Sequence, residues 1–180
     1  MDTSTGSEGT VTPGALSDAK RPVTSLAGPY GHPFHPILVT VPIGAWVASI
    51  LFDLGSHRSG EAEVFVKGSF WLIGIGILGA LAAAVFGFLD LLAIPRGTVA
   101  FRTGLTHMAL NLVIVVLFAV SFALRRGHLD EADVTIPAFT LSAVALVLLA
   151  VSGWLGGKLA YRYGVRVADE TTQADGYAAG

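Results

Sequence analysis

Five side chains in this sequence could act together: His32, His35, Asp90, His107 and Asn111. His32 and His35 belong to Gly31-His-Pro-Phe-His-Pro36, so each imidazole precedes a proline. A residue before proline is pushed toward extended geometry. Both histidines are therefore expected on a stiff, non-helical lead-in, with Pro36 starting the helix behind it. His107 and Asn111 are four apart, hence on one helix face. Asp90 lies 11 residues beyond Gly79, which returns almost to the same helical angle. Neutral imidazoles on different helices suit the axial positions of haem b. His35 and His107 would be the ligands, and His32 an alternate ligand or a contact to a propionate. Phe34, Phe101 and Met108 could pack on the porphyrin. The same histidines with Asp90 could instead hold a divalent metal, and Asp90 would orient His107 through its other ring nitrogen.

The elements that must position these groups follow from composition. Of 180 residues, 53% are hydrophobic and 13% charged, about half the charged share of a soluble domain, and mean hydropathy is +0.67. Disorder is excluded, and a water-soluble enzyme is a poor fit. With no cysteine there is no disulfide scaffold, thiolate metal site or cysteine nucleophile. A net charge of −2 gives no electrostatic reason for a nucleic-acid partner. The partner is the lipid bilayer. Pro36–Phe52, Gly68–Leu89, Thr103–Leu124 and Val134–Gly157 carry no charge, and about 20 apolar residues cross the hydrocarbon as a helix. The expected fold is an all-α, integral membrane four-helix bundle. Its unit is residues 29–167, with spans about 36–54, 68–94, 99–124 and 135–163 and disordered tails at 1–28 and 168–180. Pro42 should kink or locally open the first span.

Orientation follows from the cations near the span ends. Lys20, Arg21, Arg96, Arg102, Lys158, Arg162 and Arg166 lie on one side; Arg58, Lys67, Arg125 and Arg126 lie on the other. The positive-inside rule then puts both termini in the cytoplasm. Trp71, Trp154, Tyr161 and Tyr163 fit interfacial belts. On this reading the five polar residues form one layer on the cytoplasmic side, partly within the hydrocarbon, where ionisable groups must pair or bind something. Three readings share that layer: a structural polar knot, a haem or metal site, and a proton or solute path through Asp90 and His107. Asp53, at the opposite end, receives no role.

Other motifs fail on context. Gly74-Ile-Gly-Ile-Leu-Gly79 matches GxGxxG but has no preceding strand and no exposed helix N-terminus. Packing explains it better, because Gly76, Gly79, Ala83 and Gly87 share one face and let a helix approach closely. Gly153 and Gly157 form a GxxxG pair. Such pairs more often seat helices within a bundle, and they are also the surface through which a homo-oligomer would form. His57 and His128 read as solvated loop residues. No Ser–His–Asp set, HExxH, P-loop or calcium loop is present, so no catalytic residue is assigned.

Gly31-His-Pro-Phe-His-Pro-Ile-Leu-Val-Thr-Val-Pro-Ile-Gly44, Gly87-Phe-Leu-Asp90, His107 with Asn111, and Gly153-Trp-Leu-Gly-Gly-Lys-Leu-Ala-Tyr-Arg-Tyr-Gly164 resemble the motifs of a bacterial family of small predicted membrane proteins of unknown function. The resemblance covers about Pro29–Val167. It implies a four-helix protein of the bacterial inner membrane. Some members of that family look fused to a Rieske-type iron–sulfur domain, which implies electron-transfer surroundings. This sequence ends soon after the fourth span, so any redox partner is expected to be a separate protein. Some relatives have a histidine where Tyr163 stands, which argues against a ligand role there.

Overall fold

Proline and glycine set the limits of the helices. The computed structural model describes residues 13–20, 33–58, 60–130, 134–175 and 177, and among these there are no strands. Two pieces, α2 (Phe34–Leu38) and α3 (Thr40–Ser56), make the first span. The break at Val39 follows from Pro42, which cannot donate to the Leu38 carbonyl and crowds it. α4 (Ala62–Leu92) stops just before Pro95. α5 (Val99–Arg125) is capped by Thr98, whose hydroxyl accepts the Phe101 N–H at 3.1 Å. α6 (Ile136–Gly157) takes Pro137 in its first turn and runs on through a π-helical turn, Lys158–Arg162. The Gly164 N–H then closes on the Ala160 carbonyl, with the backbone turning left-handed at φ 69°.

All four long helices are long and apolar enough to cross a membrane. They run up and down, with short connections at one end (the loop end) and the chain's entry, exit and the 93–98 turn at the other (the terminal end). Two expectations change here. His35 sits inside the helical turn α2, not on a non-helical lead-in. The first N–H groups of a helix have no partner to lose, so Pro36 is tolerated within that turn. Parts of both expected tails also carry structure: Pro13–Lys20 forms α1, with Ala19 buried, and Glu170–Asp175 forms α7.

Packing is set where small residues face large ones. Trp46 stacks on Phe118 with centroids 4.2 Å apart, and Phe70 on Phe122 at 4.1 Å. Ile73, Ile114 and Ala145 complete this core with no exposure. A Cβ at Gly76 would collide with the Trp46 indole, and one at Gly79 would lie 2.8 Å from Val41. The small-residue face of α4 thus seats the first span, as close helix approach requires. The Gly153–Gly157 pair does no such work within the chain. Nothing lies within 4 Å of a Cβ at Gly153, and it is Gly156 that receives a side chain, His107.

At the loop end a buried ion pair ties the bundle together. Arg125 donates from Nη1 and Nη2 to the two Asp53 carboxylate oxygens at 2.6 and 2.8 Å. Its other donors reach hydroxyls: Nη1 to Ser69 at 3.2 Å, Nη2 to Ser142 at 3.3 Å and Nε to Ser121 at 3.3 Å. Asp53 is wholly buried and Arg125 nearly so. One guanidinium on α5 therefore gathers groups from α3, α4 and α6. Asp53, given no role by sequence, is its counter-ion, and Arg125 is not a loop charge.

Losing one partner of such a pair leaves an uncompensated buried charge and costs about 3–5 kcal/mol. Asp53→Leu and Arg125→Met should each lower stability by that amount. The double variant should lose clearly less than the two losses combined. Denaturation in mixed detergent micelles, followed by Trp fluorescence, measures this. Additive losses would mean the two side chains act independently.

Candidate functional site

Near the terminal end, two imidazoles enter the bundle from different helices. His35 on α2 lies against Gly87 of α4, where a Cβ would be 2.9 Å from Nδ1. His107 on α5 lies against Gly156 of α6, with a Cβ 3.3 Å from Cε1. Glycine at both positions provides the room that each ring fills. The ring centroids are 6.4 Å apart and the planes nearly perpendicular, at 88°.

The hydrogen bonds fix both tautomers. His35 Nδ1 is 2.9 Å from the Ala83 carbonyl, and His107 Nδ1 is 2.9 Å from the Ser152 carbonyl and 3.0 Å from its hydroxyl. A carbonyl oxygen only accepts, so each Nδ1 carries a proton, and in the neutral ring the lone pair is on Nε2. The Asn111 amide nitrogen approaches three acceptors: the Ser152 hydroxyl at 2.7 Å, the His107 carbonyl at 2.8 Å and His107 Nε2 at 3.2 Å. An amide has two N–H groups. The two short contacts use them best, so His107 Nε2 is only weakly engaged. Ser152, which holds His107 and Asn111 together, was not singled out by sequence.

Asp90 has a different partner from the one expected. Its Oδ1 accepts from Arg166 Nε at 2.6 Å, and it makes no hydrogen bond to His107. The ion pair is largely buried, at 5% exposure for the Arg166 side chain and 11% for Asp90. Arg166 is thus drawn back into the bundle, although by sequence it reads as a cytoplasmic charge. Its backbone is left-handed at φ 59°, an unfavourable region for a non-glycine residue. The ion pair and the bond from the Arg166 N–H to the Ala19 carbonyl, at 3.0 Å, hold it there. The segment after the π turn thereby forms a strap across the terminal end, latched to α4 by Asp90 and to α1 by backbone.

The structure therefore brings His35, His107 and Asn111 together and gives Asp90 to the strap. His32 lies outside the described residues. Phe34 packs edge-on against Phe86 at 5.2 Å, and Phe101 and Met108 pack against Leu91, Ile94 and Leu159. Among the described residues, no group of three or more His, Cys, Asp or Glu side chains is placed to hold a metal ion.

Residues 31–169 match the model of a predicted membrane protein family, DUF2231. The chain belongs to that family. Its function is unknown, and the match spans the four helices, the two imidazoles and the strap. No curated protein and no solved structure matches the chain.

Arg166→Gln should release the strap of this DUF2231 protein without unfolding the bundle. Hydrogen exchange should speed up at the Arg166 amide, bonded to Ala19, and at the Val165 amide, bonded to Leu159. Amides around Trp46 and Phe118 should be unaffected. Unchanged protection at residues 165 and 166 would show that the ion pair does not hold the strap.

Proposed function

We propose that this membrane protein holds haem b between His35 and His107 and serves in electron transfer beside a separate redox protein. The observation that carries the reading is the imidazole pair itself. Both Nδ1–H groups are anchored on backbone carbonyls of neighbouring helices, which orients each ring and directs its Nε2 away from that carbonyl. The two ring centroids lie 6.4 Å apart, so His35 and His107 are the residues that would hold the group. The donor set favours haem over a bare ion. A divalent ion asks the protein for three or four ligands, whereas haem brings four nitrogens of its own and needs one or two. When bound, haem would supply one-electron chemistry. The chain's own part is to hold two rings at fixed tautomer in a low-dielectric layer.

A second reading is a cofactor-free membrane scaffold. It is favoured by the Asn111 amide at His107 Nε2, which occupies the nitrogen a metal would use.

We assign the protein to a bacterial inner membrane with both termini in the cytoplasm. Arg125 and Arg166 are neutralised inside the bundle. Leaving them out, the cations stand six to three in favour of the terminal side, so the positive-inside bias grows in proportion.

The test is a spectrum. The full chain, expressed with haem precursor and purified in mild detergent, should show a Soret band that shifts on dithionite reduction. His107→Ala and His35→Ala should each abolish or strongly alter that band, while His128→Ala should not. A folded, colourless protein that takes up no haem on titration would leave the scaffold reading standing.

A further inference from the structure

Ions on the long helices mostly find opposite charges within the chain. Asp53 meets Arg125, Asp90 meets Arg166, and Lys67 meets Glu63 and Asp130. The terminal end of the fourth span is different. Lys158 and Arg162 make no ion pair among the described residues. The Lys158 ammonium lies instead over two aromatic rings, 5.5 Å from the Trp154 centroid and 5.6 Å from that of Tyr163.

These two cations edge an open groove of about 460 Å³ lined by Trp154, Gly157, Lys158, Tyr161 and Arg162. The spacing places these residues on one side of the span. The π-helical turn over Lys158–Arg162 widens the backbone at this point, a distortion that often accompanies functional sites. Gly157 leaves the floor open, since a Cβ there would meet only Tyr161 at 3.9 Å. Trp154 and Tyr161 are strongly exposed, at 66% and 92%. Ring systems of this kind sit at headgroup level, with an apolar body toward lipid and a polar edge toward water.

We propose that this groove binds one anionic phospholipid. Lys158 and Arg162 would engage the phosphodiester, and an acyl chain would run up the open face past Gly157 and Gly153. Charge complementarity selects the occupant. Two cations with no acidic partner among the described residues, beside an apolar, glycine-floored slot, suit a group with an anionic head and a hydrocarbon tail. A zwitterionic lipid brings no net charge to balance them. The site is separate from the imidazole pair, whose rings lie against Gly87 and Gly156, so it stands whether or not haem binds.

The test uses the full chain in mild detergent, with phosphatidylglycerol and phosphatidylcholine titrated in competition and retained lipid counted by native mass spectrometry. Phosphatidylglycerol should be retained at least tenfold more tightly. Lys158→Gln with Arg162→Gln should lose most of that preference, about fivefold for each charge. Lys158→Arg with Arg162→Lys should keep it. Gly157→Leu fills the floor and leaves both charges, and should also lose it. Arg102→Gln, which removes a cation outside the groove, should not. Circular dichroism checks that each variant is helical. Equal retention of the two lipids, loss with Arg102→Gln equal to that of the groove variants, or no loss with Gly157→Leu would overturn the site in favour of diffuse surface charge. Displacement of phosphatidylglycerol by millimolar inorganic phosphate would overturn the lipid assignment in favour of a free-anion site.

Discussion

A charge inside a bilayer must be neutralised by the protein itself, because no water is there to do it. Both carboxylates within the long helices' buried surface obey this in the same way, by drawing in an arginine. Asp53 takes Arg125 at the loop end, and Asp90 takes Arg166 at the terminal end. The first pair is bidentate and surrounded by hydroxyls: Nη1 and Nη2 link Arg125 to α3, α4 and α6, and Nε donates to Ser121 of its own helix. The second is single-pointed and joins a helix to a segment beyond the membrane span. The loop end is consequently a closed knot, and the terminal end is closed by an exit strap held through the Asp90 ion pair and backbone bonds to Ala19 and Leu159.

That asymmetry extends to the hydrogen bonds of the neutral polar groups. Among the described residues, no buried side-chain nitrogen or oxygen lacks a hydrogen-bond partner. At the loop end this is achieved by mutual satisfaction of Asp53, Arg125 and three serines. Nearer the terminal end, His35 Nε2 makes no hydrogen bond within the described residues, so it must keep contact with space outside the packed core. His107 Nε2 has only the longest of three Asn111 contacts. Polarity that exists only to knit helices would be expected to saturate itself, as it does around Arg125. The imidazole pair keeps lone pairs in reserve.

The four spans were legible because continuous apolar runs admit no other structure. The polar layer was legible in part because Asp90 and His107 are too costly in lipid to be accidental. What could not be read was pairing. Arg125 and Arg166 lie at the ends of apolar runs, where an arginine can snorkel to water or turn inward with equal stereochemical ease. Residue type and spacing do not distinguish these choices; only the position of Asp53 and Asp90 in three dimensions does. A signal was nevertheless present. Ser49, Ser69, Ser121, Ser142 and Ser152 interrupt otherwise apolar helices, and all five are buried. A hydroxyl in such a run marks an inward face, and Ser69, Ser121 and Ser142 would have pointed to a buried charge between them. The helical setting of His35 was hidden by the two prolines, whose preferences are weakest in a first turn.

Glycine connects the packing to the site. Gly76 admits Trp46, Gly87 admits His35 and Gly156 admits His107. In the first case the indole N–H finds the Ile73 carbonyl at 3.3 Å; in the other two an imidazole N–H finds Ala83 or Ser152. Each time a missing side chain lets a ring lie on the neighbouring helix and donate to its backbone. A helix carbonyl is already committed to its own ladder, so it can accept a second bond but offers nothing in return. Rings held in this way are therefore fixed in tautomer as well as in place. For Trp46 that yields only rigidity, since indole has no second nitrogen. For the two histidines the same packing device leaves a second nitrogen on the far side of each ring, so the local geometry that seats the helices also fixes where each Nε2 lies.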